Sequence, residues 1–159
     1  MSKLVRSEGD ETVRLLEDLI LEVLAAFFDL RAVGQRYGLV TEQGAGSWGL
    51  LRMLKTEGPQ TVPDVARARS VSRQYIQKLA NELIAEGWVA MDDNPLHKKS
   101  RLMVLTDQGE AKFKEMTQRF RELTAKIASA FASCDLEVST RTVGELRKQL
   151  GRLVSTENA

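Results

Sequence analysis

The most constraining feature of this chain is a run of signals between Thr61 and Leu105. Thr61-Val62-Pro63-Asp64 reads as a helix start. Threonine caps, proline is tolerated in the first turn, and an acid three residues on can bond back. That helix is short and ends near Arg69. Ser70-Val71-Ser72 is a tight polar connection, and Ser72 can cap a second helix running from Arg73 to about Glu86, stopped by Gly87. Trp88 to Met91 and Leu102 to Leu105 then read as strands around a polar segment that contains Asn94-Pro95.

Two short helices joined by a tight turn and followed by a β-hairpin make a winged helix-turn-helix. The arrangement suits DNA because the major groove admits one α-helix and displays base-edge donors and acceptors. The second helix has the matching faces. At about 100° per residue, Ile76, Leu79, Ala80 and Leu83 fall on one side. Gln74, Lys78 and Asn81 lie opposite, flanked by Arg73, Tyr75 and Gln77, and no acidic residue appears before Glu82. Side chains of these types pair with bases or phosphates, although they are also common on any solvated helix face. The hairpin tip adds Lys98, Lys99 and Arg101, placed to meet phosphates or a narrow minor groove.

Charge agrees in distribution, not in total. Residues 67–101 hold seven basic and four acidic side chains, a net of +3, which leaves −2 for the rest of a chain whose formal charge is +1. A basic middle between acidic ends can turn one positive face to phosphate.

Outside this middle the pattern is helical. From Glu11 to Tyr37, the residues Leu16, Ile20, Val23, Phe27 and Leu30 recur in steps of four and three, widened by Leu15, Leu19, Leu24 and Phe28. So broad an apolar arc must touch more than one neighbour. Thr41 to Gly46 reads as a loop, and Ser47 to Glu57 as a short helix with Trp48, Leu51 and Leu54 inward. Thr106 caps a long helix reaching about Ala132, and Val143, Leu146, Leu150 and Leu153 mark a last one, with Cys134 between the two.

Several function classes are excluded or weak. The longest purely apolar stretch, Val23 to Phe28, is far shorter than the roughly 20 residues of a membrane span. Met1 to Asp10 is polar and unlike a secretory signal. One Cys and one His cannot build a structural zinc site, and Cys134 has no partner for an internal disulfide. No phosphate-binding glycine loop and no nucleophile motif is visible, so neither an enzyme nor a bound cofactor or metal is expected. His97 as a pH or metal sensor and Cys134 as a redox switch are weaker readings than a phosphate contact and an ordinary thiol, since Cys134 has no obvious cationic neighbour in the sequence.

With these residues in view, the stretch Gly58 to Gly109 resembles the winged-helix core of the MarR family. The resemblance rests on Ser72-Arg73-Gln74-Tyr75-Ile76-Gln77-Lys78-Leu79, Leu83, Glu86-Gly87-Trp88-Val89, Asn94-Pro95 and Leu105-Thr106-Asp107-Gln108-Gly109. It implies a mainly α fold with a small β-hairpin wing. It also implies an N-terminal dimerisation helix at 1–40, a DNA-binding domain at 47–106 and C-terminal dimerisation helices at 107–155. The expected function is sequence-specific double-stranded DNA binding by a homodimer on a roughly palindromic operator, as a repressor relieved by a small aromatic effector. The expected place is the cytoplasm of a bacterium or archaeon, on the nucleoid and away from membranes. The DNA-contacting set is then Ser70, Ser72, Arg73, Gln74, Tyr75, Gln77, Lys78, His97, Lys98, Lys99 and Arg101, with Phe27, Phe28 and Trp48 as candidates for an effector pocket. One departure stands out. The family wing often carries an Asp-x-Arg brace, and here His97 and Lys99 occupy those positions, a pair that cannot form that ion pair near neutral pH. A second reading stays open, since winged helices also serve as protein-interaction modules with weak, non-specific DNA affinity.

Overall fold

The computed structural model describes residues 8–39, 46–96 and 100–156. Among the described residues, six α-helices and three short strands follow the order α1 (Glu8–Arg36), α2 (Ser47–Glu57), β1 (Gln60–Thr61), α3 (Val62–Arg69), α4 (Arg73–Ala85), β2 (Val89–Asp92), β3 (Leu102–Leu105), α5 (Asp107–Ile127) and α6 (Ser133–Thr156). A single 3₁₀ turn, Ala128–Ala130, separates the last two helices. The fold is thus mainly α with a small antiparallel sheet, as the sequence implies.

The core lies under α2, α3, α4 and the sheet. Leu50, Leu51, Val65, Ile76, Leu79, Leu83 and Met103 are fully enclosed there, and Met116 of α5 joins them. Each is a side chain whose removal from water is worth about 1.5–3 kcal/mol. Trp48 stacks on Phe120 at 4.9 Å between ring centroids. Its indole Nε1 donates to Thr117 Oγ1 at 3.1 Å, so α2 is fastened to α5 by an apolar and a polar contact at once.

The sheet order is β1-β3-β2. The hairpin register pairs Val89 with Leu105 and Asp92 with Leu102. The two-residue strand β1 adds a pairing that periodicity could not reveal, with Gln60 opposite Met103 and Thr61 opposite Leu102. It holds the start of α3 against the base of the wing.

Two expectations need correction. The C-terminal long helix ends at Ile127 rather than near Ala132. The following helix begins at Ser133, which puts the exposed Cys134 in the first turn of α6 and not in a linker. The broad apolar arc of α1 also finds little cover within the chain. Leu16, Leu24, Phe27, Phe28 and Leu30 all remain exposed, as do Leu136, Leu150, Leu153 and Val154 on α6. No helix among the described residues is long and apolar enough to cross a membrane.

Candidate nucleic-acid interface

The helix-turn-helix is built by local bonds. Thr61 Oγ1 accepts from the backbone N–H of Asp64 at 3.3 Å, and its own hydroxyl donates to Asp64 Oδ2 at 2.6 Å. At the other end of α3 the chain reverses through Ser70, which takes a left-handed conformation with φ +52°. Val71 N–H then donates to Ala66 O at 3.1 Å and Ser70 N–H to Arg67 O at 3.2 Å. These bonds satisfy the last carbonyls of α3 and set the turn. Ser72 Oγ accepts from Tyr75 N–H at 3.1 Å and caps α4, as its residue type and position imply.

Packing orients α4. Ile76, Leu79, Ala80 and Leu83 are its buried residues, the four that fall together on one side in the sequence. Arg73, Gln74, Gln77, Lys78 and Asn81 are consequently turned to solvent. Gln77 Nε2 donates to Asn81 Oδ1 at 2.9 Å, so two amides one turn apart are held as a pair. The first turn of α4 holds no acid, which leaves the positive end of the helix dipole uncompensated.

The structure gathers part of the expected set and separates the rest. Arg73, Gln74 and Gln77 line a cleft of about 430 Å³ together with Arg101 and Ser100 of the wing and Met91 of β2. Pro63 at the start of α3 closes it. Tyr75 instead lines a different cleft beside Gly49 and Arg69. Ser70 sits at the helix-turn-helix bend and Lys78 lies further along the exposed face of α4. His97, Lys98 and Lys99 fall outside the described residues. Ser100 and Pro63 are not in the DNA-contacting set expected from sequence; the pairing of β1 with β3, which no local pattern signals, brings their elements together.

The wing has its own brace. Arg101 Nη2 donates to the carbonyl of Met91 on the opposite strand at 2.5 Å, a cross-strand tie that does not need the acid missing at His97. At the strand base, Thr106 N–H donates to Trp88 O at 3.2 Å, and Thr106 hydroxyl to Gly87 O at 2.6 Å. Thr106 Oγ1 accepts in turn from Gly109 N–H at 2.9 Å, capping α5. The end of α4, the wing and the start of α5 therefore meet in one hydrogen-bonded knot.

Of the residues considered for an effector pocket, Phe27 and Phe28 sit edge to face at 5.6 Å between ring centroids on α1, 58% and 64% exposed. Trp48 is partly buried and engaged by Phe120 and Thr117.

Comparison with known proteins agrees with this geometry. The MarR family model matches residues 43–100. An uncharacterized protein of Mycobacterium tuberculosis is 30% identical over 128 residues, covering 78% of this chain and 89% of that one. A crystal structure of a MarR family transcription regulator superposes with a TM-score of 0.73 at 22% identity, over 94% of this chain and 99% of the other. The transcriptional regulator BldR from Sulfolobus solfataricus gives a TM-score of 0.70 at 16% identity, over 92% and 99% of the two chains. On its capped recognition-type helix, its braced wing, the family match and these likenesses together, the chain belongs to the MarR family of winged-helix transcriptional regulators.

Proposed function

We propose that this chain is a homodimeric, sequence-specific DNA-binding repressor that a small-molecule effector releases from its operator. The observation that carries the proposal is the polar face of α4. Its apolar side is locked into the core, and Arg73, Gln74, Gln77 and Lys78 are exposed on the other. Arginine can pair bidentately with guanine and glutamine with adenine in the major groove. Ser72 leaves the helix start open for a phosphate, and Ser70 and Tyr75 flank it. Arg101 with the wing residues His97, Lys98 and Lys99 serves the backbone or the neighbouring groove.

Dimerisation is supported by the open apolar faces of α1 and α6, which a second copy would cover. Residues 1–40 and 107–155 are then the dimerising parts and 47–106 the DNA-reading domain. The effector site is assigned to Phe27, Phe28 and Trp48, completed at the dimer contact, and the place of action is the nucleoid. A symmetric dimer implies a roughly palindromic operator with half-sites about one helical turn apart.

Selection of bound duplexes from a random pool, followed by salt titration of the winner and a scrambled duplex, tests this reading. A near-palindromic winner bound roughly a thousandfold tighter than the control is expected. Equal weak binding of both, with the same salt slope, would mean that only the backbone is read and would overturn it.

A further inference from the structure

A second cleft lies between α2, the bend of the helix-turn-helix and α6. It encloses about 610 Å³ and is lined by Arg52 of α2, Arg69 at the end of α3 and Arg147 of α6, with Glu57 and Tyr75 at its edge. None of the three arginines forms an ion pair among the described residues. Three guanidinium groups and one carboxylate leave this cleft with a net charge of +2. Like charges that share a partly enclosed space repel unless an anion joins them.

The seat of Arg69 is built rather than incidental. Its Nη2 donates to the carbonyl of Gly49 at 2.5 Å. Gly49 lies inside α2, where glycine weakens a helix. A Cβ at that position would stand 3.1 Å from both terminal nitrogens of Arg69, so the glycine makes the room that the guanidinium occupies. Burial lowers the pKa of Arg69 below its ordinary value. Tyr75 and Glu57 oppose that shift, and the Arg147 charge adds to it.

We propose that this cleft binds a small dianionic oxyanion, a phosphate monoester or a dicarboxylate, clamped by Arg52, Arg69 and Arg147. Planar guanidinium forks match both groups bidentately, and two negative charges neutralise the site. The volume suits a small metabolite. The position also gives the ligand leverage. Arg147 belongs to α6, whereas Tyr75 is in the first turn of α4 and Arg69 is next to the bend that precedes it. Occupancy ties α6 to the start of the recognition helix, and it shifts DNA affinity by the difference in ligand affinity between the free and DNA-bound arrangements. This regulatory consequence rests on the DNA-binding reading; occupancy of the cleft does not.

Calorimetric titration of the DNA-free full chain with inorganic phosphate and, separately, with succinate tests the proposal, near neutral pH and at constant ionic strength in chloride. At least one probe should saturate a single site per chain, and which one does so identifies the source. Arg147→Gln and Arg52→Gln, both at side chains outside the core, should each weaken binding roughly tenfold or more, with unchanged helical circular dichroism. Arg73→Gln should leave it unchanged. Absence of saturable binding by either probe overturns the proposal. So does unaltered affinity in Arg147→Gln, or a loss confined to Arg73→Gln, which would locate the anion on the nucleic-acid face. Saturable, Arg147-dependent binding in a protein that selects no operator would uphold the site and remove only its regulatory consequence.

Discussion

At the residue scale, the tightest constraint is Gly109, where the start of α5 meets the base of the wing. A Cβ there would lie 1.9 Å from the carbonyl oxygen of Trp88, an overlap with backbone that no rotamer relieves. Gly87, with φ +73°, plays the other part, letting Trp88 N–H turn back to Leu83 O at 2.9 Å and end α4. The sequence shows Gly87 as a helix stop, but the need for Gly109 is invisible in it, because the clash is with a residue on another element. Gly109→Ala should destabilise the chain by about 3 kcal/mol or more, read as a lower urea midpoint. Arg73 makes the opposite kind of prediction. It is exposed and contributes nothing to the core, so Arg73→Ala should leave the melting temperature unchanged. Operator affinity should fall by about 1–3 kcal/mol with relaxed specificity at one base position, measured by mobility shift on single-base variants. Unchanged DNA binding would favour a protein partner for this face.

At the element scale, α4 was almost wholly legible: a capping Ser72, a 3.6-residue apolar repeat and a terminal glycine agree on one helix and one buried side. The strand β1 was not, because two residues carry no period and Gln60-Thr61 becomes a strand only through β3. The break between α5 and α6 falls earlier than the sequence implies, for a related reason. Ala128 to Ala132 contains no glycine or proline, and small residues extend a helical reading past its true end. The two C-terminal helices also carry surface pairs with a pH signature. Glu115 accepts from Lys112 at 3.1 Å and pairs with Arg119, and Glu145 accepts from Gln149 at 2.6 Å. These contacts favour the ionised acids and hold both carboxyls below the ordinary value of 4.5. A depressed folded-state pKa gives stability that is present above the unfolded value and lost as pH falls through the folded one. Carboxyl NMR titration should therefore give midpoints below 4.5 for both, and Lys112→Gln should move that of Glu115 upward.

At the scale of the whole molecule, α1 and α6 carry open apolar faces. Phe28 and Leu153 are 64% and 63% exposed there. If a second copy covers them, the twofold relation makes each substitution count twice. Phe28→Asp should weaken the dimer by roughly 2–4 kcal/mol while leaving the DNA-reading core folded. Sedimentation velocity should show a shift from dimer to monomer, and operator affinity should fall with it. A variant that sediments like the wild type would remove α1 from the dimer contact.

The helices, the hairpin and the buried side of α4 followed from sequence alone, because capping, periodicity and turn chemistry act between residues a few positions apart. Which polar residues share a cleft did not. Arg73 and Arg101 line one cleft between α4 and the wing, whereas Tyr75 lines another with Arg69 and Arg147, residues that lie on two other helices. Those juxtapositions depend on how α3, α4 and α6 cross. The crossing of α3 and α4 is set by core packing at positions far apart in the chain, and α6, which gives no described residue to that core, reaches the cleft from further still; no local pattern encodes either.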